Sequence, residues 1–261
     1  MATIVEMINP LTGLPEQVDK LDHTAQEIDD SVGLTPQLSN PNLLDNWYFG
    51  NPVNQRGKTE YSGNSYCIDR WFSGNNKVTL EDDGLLITSV DKLSIFRQYI
   101  EFPKLFSGRT VTFSVDSEIV SGRWFLTDLS SFSAAHTDCA IHNGVTSYSF
   151  PVNNSSAQGP TPAIGLFSAS VGSQIKVRSI KLELGSQQTL AHQDADGNWV
   201  LNEIPDYGEQ LARCQRYFQL YSSTGKRQAN AVDCRPVMRA NPSQGTIAIG
   251  GTTYYYNTAD L

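Results

Sequence analysis

The chain has 261 residues, 39% of them hydrophobic, which is enough for one large domain or two small ones. Its formal net charge of −8 argues against a nucleic-acid-binding chain, because phosphate contacts need a cationic surface. The cysteines Cys67, Cys139, Cys214 and Cys234 form no C-x-x-C pair, no basic-then-apolar leader opens the chain, and no stretch approaches a membrane span; the expectation is therefore synthesis in a reducing compartment, with no secretory leader and no membrane insertion. Low charge, 20 Gly and 12 Pro favour a loop-rich, mainly β protein.

In chain order, residues 1–13 carry a mildly apolar A-T-I-V-E-M-I, which suits either a strand added to a partner or a terminal tail. The next segment predicts a helix. Leu14, Val18, Leu21, Ala25, Ile28 and Val32 recur at spacings of four and three, a heptad with Pro15 in the first turn and Gly33 at the stop. A helix this short is marginal alone, so its apolar stripe needs a partner. The strict period and the linker Thr35 to Pro41 favour the same helix in neighbouring subunits over the body of its own subunit. The heptad does not fix the number of copies. Residues 1–41 are thus expected to be an attachment segment with an oligomerisation coiled coil.

Residues 42–186 read differently. N-L-L-D-N-W-Y-F-G-N-P-V-N-Q-R-G sets aromatic and apolar residues between Asn, Gly and Pro turns. Short strands are predicted at Val78 to Leu80, Leu85 to Ser89, Ser94 to Ile100, Thr110 to Ile119, Trp124 to Leu129, Thr146 to Val152, Ala163 to Ser168 and Ile175 to Leu184. In the last of these the inward phase shifts by one residue between Val177 and Ile180, which suggests a β-bulge or a turn. Many short strands without helical periodicity between them predict an antiparallel β-sandwich of jelly-roll type. Residues 187–261 predict a small α+β module. It has a turn at Asp194-Ala195-Asp196-Gly197, a helix over Asp206 to Tyr221 and a hairpin over Gly245 to Tyr256 around Gly250-Gly251.

The order of these parts resembles bacteriophage and prophage tail-fibre and receptor-binding proteins. The residues that carry the resemblance are the N-L-L-D-N-W-Y-F-G-N-P run, Y-C-I-D-R-W, F-R-Q-Y-I-E, V-R-S-I-K-L-E-L-G-S, Y-G-E-Q-L-A-R-C-Q-R-Y-F-Q and R-P-V-M-R-A-N-P, over roughly residues 42–240. The middle segment is also similar to jelly-roll carbohydrate-binding modules. The resemblance implies a homotrimeric virion adhesin, assembled in the host bacterial cytoplasm. It would be joined to other tail or baseplate proteins through its N-terminus and would touch bacterial surface polysaccharide. It supplies no residue-level site.

Sugar recognition needs flat rings to stack on pyranose faces and polar groups for hydroxyls. Of the aromatic residues in loops, Trp47 and Trp71 sit in apolar contexts that predict core. The glycan-binding candidates are Trp124, Tyr61, Tyr254 and Tyr256, with strand alternation placing Tyr255 on the opposite face from its two neighbours. Arg213, Arg216, Lys226 and Arg227 suit a phosphate, another subunit's acidic surface, or plain solvation. No nucleophile elbow, P-loop, dinucleotide fingerprint or zincin motif is present, so no enzyme activity and no cofactor are expected. His136, Cys139 and His142 do not share one strand face, and Pro205 stands where a calcium loop begun at Asp194 needs its last carboxylate; no metal is expected. The alternative functions are a structural virion decoration or collar fibre without receptor binding, and a glycan depolymerase.

Overall fold

The computed structural model describes residues 4–8, 15–19, 39–101, 106–129, 138–153, 163–222 and 227–260. They fall into two compact units, Met1–Leu38 and Ser39–Leu261.

In the first unit, strand β1 (Ile4–Ile8) pairs antiparallel with β2 (Pro15–Asp19), with Val5 opposite Val18. This corrects the expected helix: Val18 and its neighbours are extended. The β-branched I-V-E-M-I segment finds its partner within the chain, and the ladder gives Pro15–Asp19 backbone hydrogen bonds that a short, isolated helix could hold only marginally. Pro15 opens its strand, a position where its missing N–H is tolerated. Leu14, Leu21, Ala25, Ile28 and Val32 lie outside the described residues.

The second unit is mainly β. Its strands are β3 (Glu60–Tyr66), β4 (Phe72–Glu81), β5 (Gly84–Ser89), β6 (Ser94–Tyr99), β7 (Thr110–Ser121), β8 (Phe125–Leu129), β9 (Cys139–Ala140), β10 (Gly144–Pro151), β11 (Ala163–Ser168), β12 (Gln174–Leu184), β13 (Ala191–Gln193) and β14 (Trp199–Leu201). Helix α1 (Tyr207–Cys214) follows, then β15 (Phe218–Tyr221), β16 (Ser243–Ile249) and β17 (Thr252–Thr258). Among the described residues no helix is long and apolar enough to cross a membrane.

Every strand predicted in the body is present. One antiparallel ladder runs β10-β7-β12-β5-β4-β6-β11-β8-β9, with β3 on the other edge of β4. The ladder becomes a jelly-roll-like sandwich by turning at β4. Phe72, Ser73 and Gly74 pair with β6, while Asn76 to Glu81 pair with β5. Asn75, between the two pairings, has a φ of 56°, a left-handed conformation that Asn tolerates better than most residues. One layer is therefore β10, β7, β12, β5 and the outer part of β4; the smaller layer is β6, β11, β8 and β9.

The core lies between the layers. Val78, Ile87, Phe113, Val115, Ile180 and Leu182 from the first meet Phe96, Leu126, Ile164 and Leu166 from the second. The loop residues Leu44, Trp47, Phe49 and Trp71 complete it, with Trp71 stacked on Phe96 at 4.7 Å between ring centroids. The phase shift in β12 is a bulge: Val177 pairs with Ser117 and Ser179 with Asp116, leaving Arg178 as the extra residue.

Alternation alone would leave Lys181 and Glu183 in solvent on the far side of β12, yet both are fully buried. Residues 187–203 fold over that face. Lys181 Nζ donates to Ser39 Oγ (2.5 Å), Thr189 O (3.3 Å) and Glu203 Oε1 (3.3 Å), while Glu183 accepts from Thr189 N (2.6 Å) and from the Thr189 hydroxyl. Each buried charge is thus compensated, as a dry environment demands.

Candidate functional site

The C-terminal module reaches the sandwich through α1. Asp206 caps the helix by accepting from Glu209 N (2.8 Å), and buried Gln210 accepts from Asn46 N (2.7 Å). The helix ends at Cys214, seven residues before the predicted limit at Tyr221. F-Q-L-Y satisfies a period of two as well as the helical spacing, and pairing with β17 gives it a sheet partner: Phe218 opposite Thr258 and Leu220 opposite Tyr256. The order β15-β17-β16 then makes a small sheet.

A groove of about 560 Å³ runs between this sheet and β3. Lys58, Glu60, Tyr61, Ser62, Ser65 and Tyr66 line it from the sandwich side. Phe218, Thr246, Ile247, Tyr256 and Asp260 line it from the module, and Arg56 joins the two walls. The Arg56 guanidinium donates to Asp69 Oδ1 (3.3 Å) and Asp260 Oδ2 (2.6 Å), and its carbon lies 4.1 Å from the Phe218 ring centroid and 5.6 Å from that of Tyr66. Phe218 and Tyr256 are themselves 5.1 Å apart.

Electrostatics follow from this packing. Burial pushes the Asp69 carboxyl up to about 6, against the opposing pull of Arg56 and of the Gln55 N–H at 2.6 Å. Burial likewise pushes the Tyr61 hydroxyl up to about 12. Glu60 pairs with Lys77 at 2.8 Å, and Asp260 with Arg56, so both groove carboxylates are engaged in ion pairs. The groove therefore presents aromatic rings and charge-paired polar groups. Among its described residues no nucleophile sits beside a base.

The sequence candidates divide. Tyr61 and Tyr256 both line the groove, although Tyr61 is buried and its hydroxyl is bonded to Asn54. Tyr254 is half-buried and shares the strand face of Tyr256, but it lies outside the groove lining. Tyr255 is on the other face, as alternation requires, with the Arg227 guanidinium 4.9 Å from its ring. Trp124 is 1% exposed inside the sandwich core and offers no face to a ligand. Trp47 and Trp71 are core as their contexts predicted.

Other motifs resolve into structure. Asp194 accepts from the backbone of Asp196 (3.0 Å) and Asn198 (2.8 Å), which makes its loop a turn. His136 is outside the described residues, and among those that are described no three metal-type ligands cluster. Arg213 faces Asp45 at 3.6 Å and Arg216 faces Glu101 at 3.2 Å, both within the chain. Sequence reasoning missed Arg56 and Phe218. Arg56 had no local signal beyond a turn, and Phe218 was absorbed into the apparent helix.

No protein-family model matches the chain, and no curated protein matches it. Solved structures do. The CBM22-1 xylan-binding domain from Paenibacillus barcinonensis Xyn10C is 12% identical over 56% of this chain and 96% of that one, with a TM-score of 0.36. A CBM4 structure is 14% identical over 54% and 99%, with a TM-score of 0.35. The enzymatically active domain of tailspike protein 4 from bacteriophage CBA120 is 14% identical over 55% of this chain and 21% of that one, with a TM-score of 0.32.

Proposed function

We propose that the chain is a glycan-binding protein and that the groove between β3 and the C-terminal sheet holds the sugar. The observation that carries this reading is that the half-buried rings of Tyr66 and Tyr256 both line an open groove beside Lys58, Glu60 and Asp260, while Phe218, 3% exposed, packs against Tyr256 and Arg56 and supports the wall. Rings at that place stack on pyranose faces, and the charged groups hydrogen-bond hydroxyls.

The narrower reading is a bacteriophage tail-fibre or receptor-binding protein that recognises host surface polysaccharide in three copies. Its support is the sequence resemblance over roughly residues 42–240. Light scattering on the full chain tests the assembly, with three times the 28.8 kDa chain mass expected and a persistent monomer as the overturning result. A glycan array tests the site. Wild type is expected to retain a bacterial polysaccharide that Tyr256→Ala does not, and equal retention by both proteins removes the groove from consideration.

A further inference from the structure

The outer face of the smaller layer is covered in part, with Thr127 and Ala163 buried, and open in part. Phe72, Ile95, Arg97, Tyr99, Phe125 and Phe167 point away from the core, all half-buried. Arg97 is the single charged side chain among the described strand residues of that face. Its guanidinium carbon lies 4.9 Å from the Phe72 ring centroid and 4.8 Å from that of Tyr99. Its backbone lies opposite Gly165, where a Cβ would come within 2.3 Å of the Phe96 carbonyl oxygen and 2.8 Å of Arg97 Cα. The two strands approach closely there, with Gly165 against the backbone and Cβ of Arg97.

Arg97 has no carboxylate partner among the described residues, and its Nε is enclosed without an acceptor. By contrast Arg56, Arg70, Arg178 and Arg216 each meet an acid. Arg227 likewise meets no acid, but it donates to the Gly245 carbonyl (3.3 Å), whereas Arg97 has no protein acceptor among the described residues. Desolvating a guanidinium is unfavourable unless an anion offsets it, and its planar fork matches an oxyanion with two parallel hydrogen bonds.

We propose that this face is a second binding site, and that its ligand is a saccharide carrying an oxyanion, a carboxylate or a phosphate. Arg97 grips the anion, and the rings beside it carry the sugar. The site is separate from the groove, although Tyr66 and Phe72, 5.5 Å apart, connect the two.

The test is calorimetry on the full chain at low salt with three probes: trigalacturonate, its methyl ester as the neutral control, and glucose 6-phosphate. At least one charged probe is expected to bind about tenfold or more tightly than the ester, with added salt weakening it. Binding of trigalacturonate alone assigns a carboxylate, and binding of glucose 6-phosphate alone assigns a phosphate. Arg97→Met is expected to abolish the preference, and Arg97→Lys to keep the charge but weaken it by about threefold or more through loss of the fork. Tyr256→Ala is expected to leave the preference intact, which separates this site from the groove. The proposal is overturned if neither charged probe outbinds the ester in wild type, or if Arg97→Met keeps the preference. Should Arg97→Met fail to fold, unchanged binding by Arg97→Lys overturns it equally.

Discussion

The guanidinium carbon of Arg56 lies over the ring of Phe218, 4.1 Å from its centroid, while the group donates to Asp69 and to Asp260. A turn residue of the sandwich thus holds the C-terminal sheet in place by stacking and by charge. Arg56 and Phe218 both line the groove. Glutamine at 55 supports it by donating from its side chain to Asp69 Oδ1 (3.1 Å) and Phe218 O (2.9 Å).

Replacing Arg56 by Met keeps the apolar stem and removes the charge. Asp69, fully buried, then has no cation, and stability is expected to fall by about 3 kcal/mol, the usual cost of breaking a buried pair on one side. Urea unfolding at neutral pH measures this. A loss below about 0.5 kcal/mol would place the pair among those that contribute nothing.

Asp69 also sets a pH dependence. Its carboxyl titrates at about 6 when folded, against an ordinary 3.8. Between those values the folded chain holds more protons than the unfolded chain, so this group's contribution is greatest at the acid end and is lost as pH rises through about 6. Asp69→Asn cannot titrate. From about pH 4 to about pH 7 wild type is expected to lose stability relative to that variant, by an amount on the order of 2–3 kcal/mol. A difference that stays flat over this range, or moves the other way, refutes the assignment.

Trp124 and Tyr256 are expected to separate stability from binding. Trp124→Ala empties a fully packed core position and should cost about 3–5 kcal/mol, with glycan affinity unchanged in the folded fraction. Tyr256→Ala removes a half-buried groove ring and should cost about 1 kcal/mol of stability but about tenfold or more in glycan affinity. Thermal unfolding and calorimetry with a bound glycan read the two quantities separately. The reverse pattern would move the site to another surface.

Gly165→Ala tests the close approach of β6 and β11. The added Cβ meets a backbone oxygen that cannot rotate away, so the strands must separate. A fall in unfolding free energy of about 1–3 kcal/mol is expected, the range for overpacking a rigid site. An unchanged thermal midpoint would show that the ladder yields freely there.

Much of the body was legible in the sequence because strand periodicity is a local property. The eight predicted strands, the bulge beside Arg178 and the Gly250-Gly251 hairpin all depend on residues close in the chain. The opposed faces of Tyr254 and Tyr255 follow from the same alternation. Local patterns failed where two periods fit one segment. Phe218 to Tyr221 obeys helical and strand spacing alike, and pairing with β17 chose the strand; Pro15 to Asp19 likewise went to the ladder with β1. What tertiary structure alone decided is the groove. Arg56 and Asp260 are 204 residues apart, and which rings face one another across such a distance depends on how two sheets dock. The burial of Lys181 and the isolation of Arg97 belong to the same class, because a charge's partners are set by the layers that close over it, and no spacing in the sequence records them.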